Sequence, residues 1–192
     1  MNEKHLELCS GAEWAEAVRR WIIPWVLDGL DLGDDVLEVG PGPGRTTEVL
    51  AGLVPRLTGI EIDPALAANL AHRMAASGVQ VVQGDATSLP WDGGRFSAVL
   101  SFTMLHHLPS PASQDRLFAE AARVLRPGGV LAGTDSLDSA EFRELHAGDI
   151  CVPVEPAALT GRLEEAGFSQ AEVQTNDYGV RFRAWRPAAD GS

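Results

Sequence analysis

Residues 38–47 place a carboxylate, three glycines and two prolines in close order: Glu38-Val39-Gly40-Pro41-Gly42-Pro43-Gly44-Arg45-Thr46-Thr47. An apolar run, Val36–Val39, precedes them, and a helical pattern follows, so the glycines lie in a loop between a strand and a helix. A dinucleotide fingerprint, Gly-x-Gly-x-x-Gly, would require glycine at position 45, where the chain has arginine. Pro41 and Pro43 carry no N–H, which prevents the loop from presenting a row of donors to a diphosphate. The spacing therefore suits a ligand without phosphates. Glu61 follows 21 positions after Gly40, at the end of a second apolar run, where a carboxylate can accept two hydrogen bonds from a ribose diol. An NAD enzyme would also place an acid there, and a solvated acid at the start of a loop is the plain alternative.

Asp85, in Gly84-Asp85-Ala86-Thr87, and His106-His107, in Leu105-His106-His107-Leu108-Pro109, complete the set. Imidazole titrates near neutrality, so His106 and His107 are candidate general bases, although a histidine just after a strand often bonds the backbone of its own turn. Asp85 could equally form an Asx-turn or a helix cap.

Alternating elements must position these residues. Strands are predicted at 36–39, 57–62, 79–83, 96–101 and 129–135, with helices at about 45–53, 64–77 and 113–125 between them. This alternation implies a parallel sheet with crossover helices. In such a sheet ligands collect at the carboxyl ends of the strands, where every residue named above falls. The third helix should stop at Arg126-Pro127-Gly128-Gly129. A helix at 156–166 and two strand-like runs, 171–175 and 180–185, joined by a turn at Asn176–Gly179, follow. Ahead of the sheet, Trp14, Val18, Trp21, Ile22 and Trp25 recur at helical spacing, and Pro24 should kink or restart that helix. Trp14, Trp21 and Trp25 could cap the site or simply form core.

The acidic residue followed by Gly-x-Gly-x-Gly resembles the first motif of the class I S-adenosylmethionine-dependent methyltransferases. The Gly-Asp-Ala segment and Leu-His-His-Leu are also similar to that family, the latter to its small-molecule enzymes, and the likeness covers nearly the whole chain. It implies an α/β, Rossmann-like single domain with a seven-stranded sheet, mostly parallel with an antiparallel C-terminal hairpin strand, and helices on both faces. Residues 1–34 would be a helical cap of that domain, 35–186 the S-adenosylmethionine-binding part and 187–192 a flexible tail. The cofactor would be S-adenosyl-L-methionine, leaving as S-adenosyl-L-homocysteine. The resemblance assigns Glu61 to the ribose and Asp85 to the adenine amino group. Gly40, Gly42 and Gly44 would cradle the ligand, and Ile62, Ala86 and Ser101 would line it at the ends of the second, third and fourth strands. Glu38 would either help hold the methionine ammonium or order the loop backbone. Methyltransferases acting on adenine or glutamine amide nitrogen carry Asn/Asp-Pro-Pro-Tyr after the fourth strand; this chain does not, which favours an O, N, S or C nucleophile on a small molecule.

The chain has 192 residues, 45% of them hydrophobic, enough for one well-cored domain. With 27 acidic and 15 basic side chains its formal charge is −12, which disfavours a nucleic-acid partner. Met1–His5 lacks a signal-peptide pattern and no run reaches membrane-spanning length, so the expectation is a cytoplasmic protein without a membrane partner, acting as a monomer or homodimer. Cys9 and Cys151 stand apart, and no Cys or His pair shows local ligand spacing, so no metal site is expected. Two rival readings remain: a nicotinamide-dependent oxidoreductase, against which Arg45 argues, and a non-catalytic S-adenosylmethionine-binding partner or regulator.

Overall fold

Seven strands, the inner ones built of largely apolar runs, form in a computed structural model that describes residues 2–189. They are β1 (Val36–Val39), β2 (Leu57–Glu61), β3 (Gln80–Gln83), β4 (Phe96–Phe102), β5 (Leu125–Ser136), β6 (Ser169–Thr175) and β7 (Gly179–Trp185). Their order is β3-β2-β1-β4-β5-β7-β6. The first five are parallel, and β7 runs antiparallel to both β5 and β6. Strand order reverses between β1 and β4, so the carboxyl ends of these strands flank the crevice where ligands of such sheets bind.

Helices cover both faces, which is why β1 and β2 are buried along their whole length. On one face α6 (Pro111–Val124) and α8 (Pro156–Glu165) contribute Leu117, Phe118, Leu159 and Leu163 to a core with Leu37, Val99, Leu131 and Phe182. On the other, α3 (Ile23–Leu27) and α4 (Arg45–Leu50) bring Ile23, Val26 and Leu50 against Val36, Leu57 and Leu100. α5 (Pro64–Arg73) follows β2, capped by Asp63, whose carboxylate accepts from the amides of Ala65 and Leu66.

The leading segment differs from a single helix. α1 (Glu3–Ser10) and α2 (Ala12–Ala17) precede a π-helical turn at Val18–Ile22, and α3 begins with Pro24 in its first turn. Pro24 has no N–H to offer the turn before it, and the wider turn absorbs the mismatch. Arg181 and Arg183 of β7 donate to the carbonyls of Trp25 and Val26, binding the end of α3 to the sheet. α1 lies in the expected helical cap but was not expected as a helix of its own, and α7 (Ala140–Leu145), between β5 and α8, was not expected.

The Arg126–Gly129 turn is a bulge within β5 rather than a loop before it. Leu125 already pairs with Phe96, and the register shifts before Val130 meets Ala98. Past β7 the backbone of Arg186 exchanges hydrogen bonds with Gly128 and Gly129. Of the expected tail, residues 190–192 lie outside the described residues, as does Met1. Among the described residues no helix is long and apolar enough to cross a membrane.

Candidate active site

Three glycines in left-handed conformation shape the loop after β1: φ is +63° at Gly40, +52° at Gly42 and +82° at Gly44. A Cβ on Gly40 would lie 2.2 Å from Met104 Cγ, and one on Gly44 2.3 Å from Leu70 Cδ1, so both positions require glycine. Each of the loop's amides is already engaged inside the protein. Gly40 donates to the Ile60 carbonyl and Gly44 to the Pro41 carbonyl, both at 2.8 Å, and Gly42 donates to Glu61 Oε2 at 2.8 Å. Pro41 and Pro43 have no N–H. The loop thus keeps no amide for a phosphate, and what it offers a ligand is close approach.

Beside the loop opens a cavity of about 890 Å³, lined by the segments that follow β1, β2, β3 and β4 and by the leading helices. This size lies within the range of small-molecule sites, roughly 300–1,000 Å³. Gly40, Gly42, Glu61, Ile62, Asp85, Ala86 and His107 are on its wall. Glu61 is nearly buried; besides Gly42 it accepts the amide of Asp63, through Oε1 at 3.0 Å. Asp85 Oδ1 accepts from the amide and hydroxyl of Thr87, at 2.8 and 2.9 Å. It therefore forms the Asx-turn while facing the cavity.

Four of the expected residues do not line the cavity. Glu38 is fully buried, and its carboxylate accepts from the hydroxyls of Thr46 and, at 2.7 Å, Thr47 in the first turn of α4. Burial pushes its pKa up to about 7 against the opposing effect of those two hydroxyls. Glu38 therefore braces the helix behind the loop and is not on the cavity wall. Gly44 stands back as the residue preceding α4, against Leu70. Ser101 is fully buried between Val39 of β1 and Gly133 of β5, and its hydroxyl has no hydrogen-bond partner. His106 is 1% exposed, with Nδ1 2.6 Å from Asp135 Oδ1, and is not on the cavity wall. Only His107 of the pair faces the cavity. Burial, and then the neighbouring His106, press its pKa down to about 3, leaving a neutral and weakly basic ring.

The leading helices close one side. His5, Leu6 and Cys9 of α1, and Trp14 of α2, line the cavity. Arg45, the residue that breaks the dinucleotide fingerprint, donates from Nε and Nη2 to the Ser10 carbonyl, at 3.1 and 2.6 Å, and fastens the end of α1. Asn2 fastens its start, donating from Nδ2 to the carbonyls of Leu145 and Ala147 and from its amide to Asp149. Trp25 packs on the core beneath, whereas Trp21 is 70% exposed and neither caps the site nor fills the core.

Ligand spacing along the chain suggests no metal site, but the fold brings four histidines together. His5, His106, His107 and His146, four of the chain's five histidines, meet beside the cavity. They come from α1, from the 3₁₀ turn Leu105–His107 after β4, and from the end of α7. Adjacent His106 and His107 were the sole local signal, because no spacing along the chain links them to positions 5 and 146.

The family model described as "Methyltransferase domain" matches residues 37–133, from β1 into β5. A protein of Mycolicibacterium smegmatis named a probable S-adenosylmethionine-dependent methyltransferase is 32% identical over 71% of this chain and 52% of its own length. The ubiquinone biosynthesis O-methyltransferase of Xanthomonas axonopodis is 29% identical over 82% of this chain and 70% of its own. The chain spans about half the length of several of the curated relatives it matches. Among solved structures, the Haemonchus contortus phosphoethanolamine N-methyltransferase 2 in complex with S-adenosyl-L-methionine superposes with a TM-score of 0.70. That match has 16% identity and covers 92% of this chain and 53% of that one. With the glycine loop, the strand-end acids and the reversed sheet order all inside the matched region, the chain belongs to the S-adenosylmethionine-dependent methyltransferase family.

Proposed function

We propose that this protein transfers a methyl group from S-adenosyl-L-methionine to a small-molecule acceptor. One observation carries the choice of cofactor: every N–H of the glycine loop is engaged within the protein, while the acids Glu61 and Asp85 face the cavity at the ends of β2 and beyond β3. A phosphate-bearing dinucleotide would find no free amide within that loop. A cationic, phosphate-free adenosine derivative fits this set. Glu61 would accept from the ribose diol with its remaining lone pairs, Asp85 would accept from the adenine amino group, and Ile62 and Ala86 would flank the base.

When bound, the cofactor supplies an electrophilic sulfonium methyl. The chain's own task is then to hold a nucleophile in line and keep water out. Leu6, Trp14, Phe102, Met104, Leu108 and Ile150 present apolar surface to the cavity, which suits an acceptor with a ring or an aliphatic chain. Relatives named for ubiquinone, demethylmenaquinone and fatty-acid methylation are consistent with acceptors of that kind. Since His107 is a weak base, positioning is the main source of acceleration in this reading. The protein would act as a monomer or homodimer.

Thermal shift is the direct test, because a ligand that binds only the native state raises its melting temperature. S-adenosylhomocysteine should raise it with a saturable dose dependence, and NADH should not. The reverse pattern would overturn the proposal. Release of S-adenosylhomocysteine in the presence of phenolic, hydroquinone or fatty-acid acceptors then identifies the acceptor class.

A further inference from the structure

We propose that His5, His106, His107 and His146 bind one divalent transition metal of the zinc class, and that this ion clips α1 onto the wall of the cavity. One ring nitrogen of each residue lies within 4.8 Å of those of the others. His5, His106 and His146 are more than nine-tenths buried. Nδ1 of His5 and Nε2 of His106, His107 and His146 are all buried without a hydrogen-bond partner. Buried polar atoms are nearly always paired, so four orphaned nitrogens in one place call for a common partner.

The acceptors behind two of the rings suit a cation as that partner. His106 donates its Nδ1–H to Asp135 Oδ1, and His146 donates its Nδ1–H to the Phe142 carbonyl at 2.7 Å. Both bonds fix the tautomer that leaves Nε2 as a lone pair, and both place an acceptor behind a ligating imidazole, as metal-binding histidines require. Asp135 is itself fully buried, and its negative charge offsets that of the ion.

The donor set selects the ion. Four imidazoles suit zinc and its neighbours, whereas magnesium and calcium prefer oxygen. Tetrahedral zinc–nitrogen bonds of about 2.0–2.1 Å place ligand atoms roughly 3.3 Å apart, so small side-chain rotations close the site. All four positions are then taken by protein, making the ion a clip and not a Lewis acid. It joins three segments far apart in sequence, one of them already fastened through Asn2 and Arg45.

The test uses the full chain, stripped with a chelator and titrated with zinc or cobalt alone. One equivalent should bind, the cobalt form should show the intense visible bands of tetrahedral coordination, and zinc should raise the melting temperature. His5→Ala and His146→Ala should lose tight binding, Asp135→Asn should weaken it by about 10–100-fold, and His72→Ala, which removes the fifth histidine, should leave it unchanged. Circular dichroism establishes that each variant is folded, and the wild-type cobalt spectrum decides the matter if any is not. Weak octahedral cobalt bands, absence of stoichiometric binding, or undiminished zinc affinity in folded His5→Ala and His146→Ala would each overturn the proposal.

Discussion

Glu61 Oε2 accepts the amide of Gly42 at 2.8 Å, so the acid that ends β2 also holds the middle of the loop that ends β1. The side chain best placed to receive a ribose diol thus shapes the surface on which that ribose would rest. In the proposed mode of binding, affinity and stability are coupled through one carboxylate.

Glu61→Ala should consequently affect both. Two amides, those of Gly42 and Asp63, lose their acceptor, at a cost of about 1–3 kcal/mol for each one left buried and unpaired. Denaturant unfolding should show a loss of at least ~1 kcal/mol, and calorimetry on the folded variant at least tenfold weaker S-adenosylhomocysteine binding. A variant that loses affinity with wild-type stability would mean the Gly42 bond is inconsequential.

Gly42 and Gly44 should separate by phenotype. Gly44→Ala drives a Cβ into Leu70 behind the cavity and should lower stability by roughly 1–3 kcal/mol, with S-adenosylhomocysteine affinity retained in the folded fraction. Gly42→Val, on the cavity wall at φ +52°, should abolish binding. Equal affinity losses in the two variants would contradict this division.

Glu38 should give the unliganded protein a pH-dependent stability. Its folded pKa of about 7 lies above the ordinary 4.5, so the fold binds this proton more tightly than the unfolded chain does. The resulting stabilisation is complete below pH 4.5 and lost as pH rises through 7. Glu38→Gln removes the titration, and its stability relative to wild type should rise by on the order of 3 kcal/mol between pH 4.5 and 8. Chemical denaturation at a series of pH values measures this; parallel curves for the two proteins would show that the carboxyl does not titrate in this range.

Arg45→Ala removes the bonds to the Ser10 carbonyl. Faster proteolysis within residues 3–17 should follow, with global stability reduced by about 1 kcal/mol, the usual contribution of such hydrogen bonds. Unaltered cleavage would mean that Asn2 and the histidine cluster hold α1 without it.

Local pattern was sufficient for the sheet and for one half of the site. Strands and crossover helices are dictated by apolar runs and turn residues a few positions apart, and the acids at 61 and 85 are legible because strand ends in such a sheet face the crevice. The bulge at Arg126–Gly129 was read as a boundary because proline and glycine mark both. Orientation was less legible. Glu38 and Ser101 stand where the sequence suggests a ligand, but packing against Thr46 and Thr47 and between β1 and β5 turns their side chains inward. The other half of the site depends on contacts between distant segments. Arg45 meeting Ser10, Asn2 meeting Leu145, and His5 meeting His106, His107 and His146 follow from how α1 docks on the finished sheet. Chain periodicity carries no information about such meetings, since they are selected by the burial of whole elements and not by neighbours in sequence.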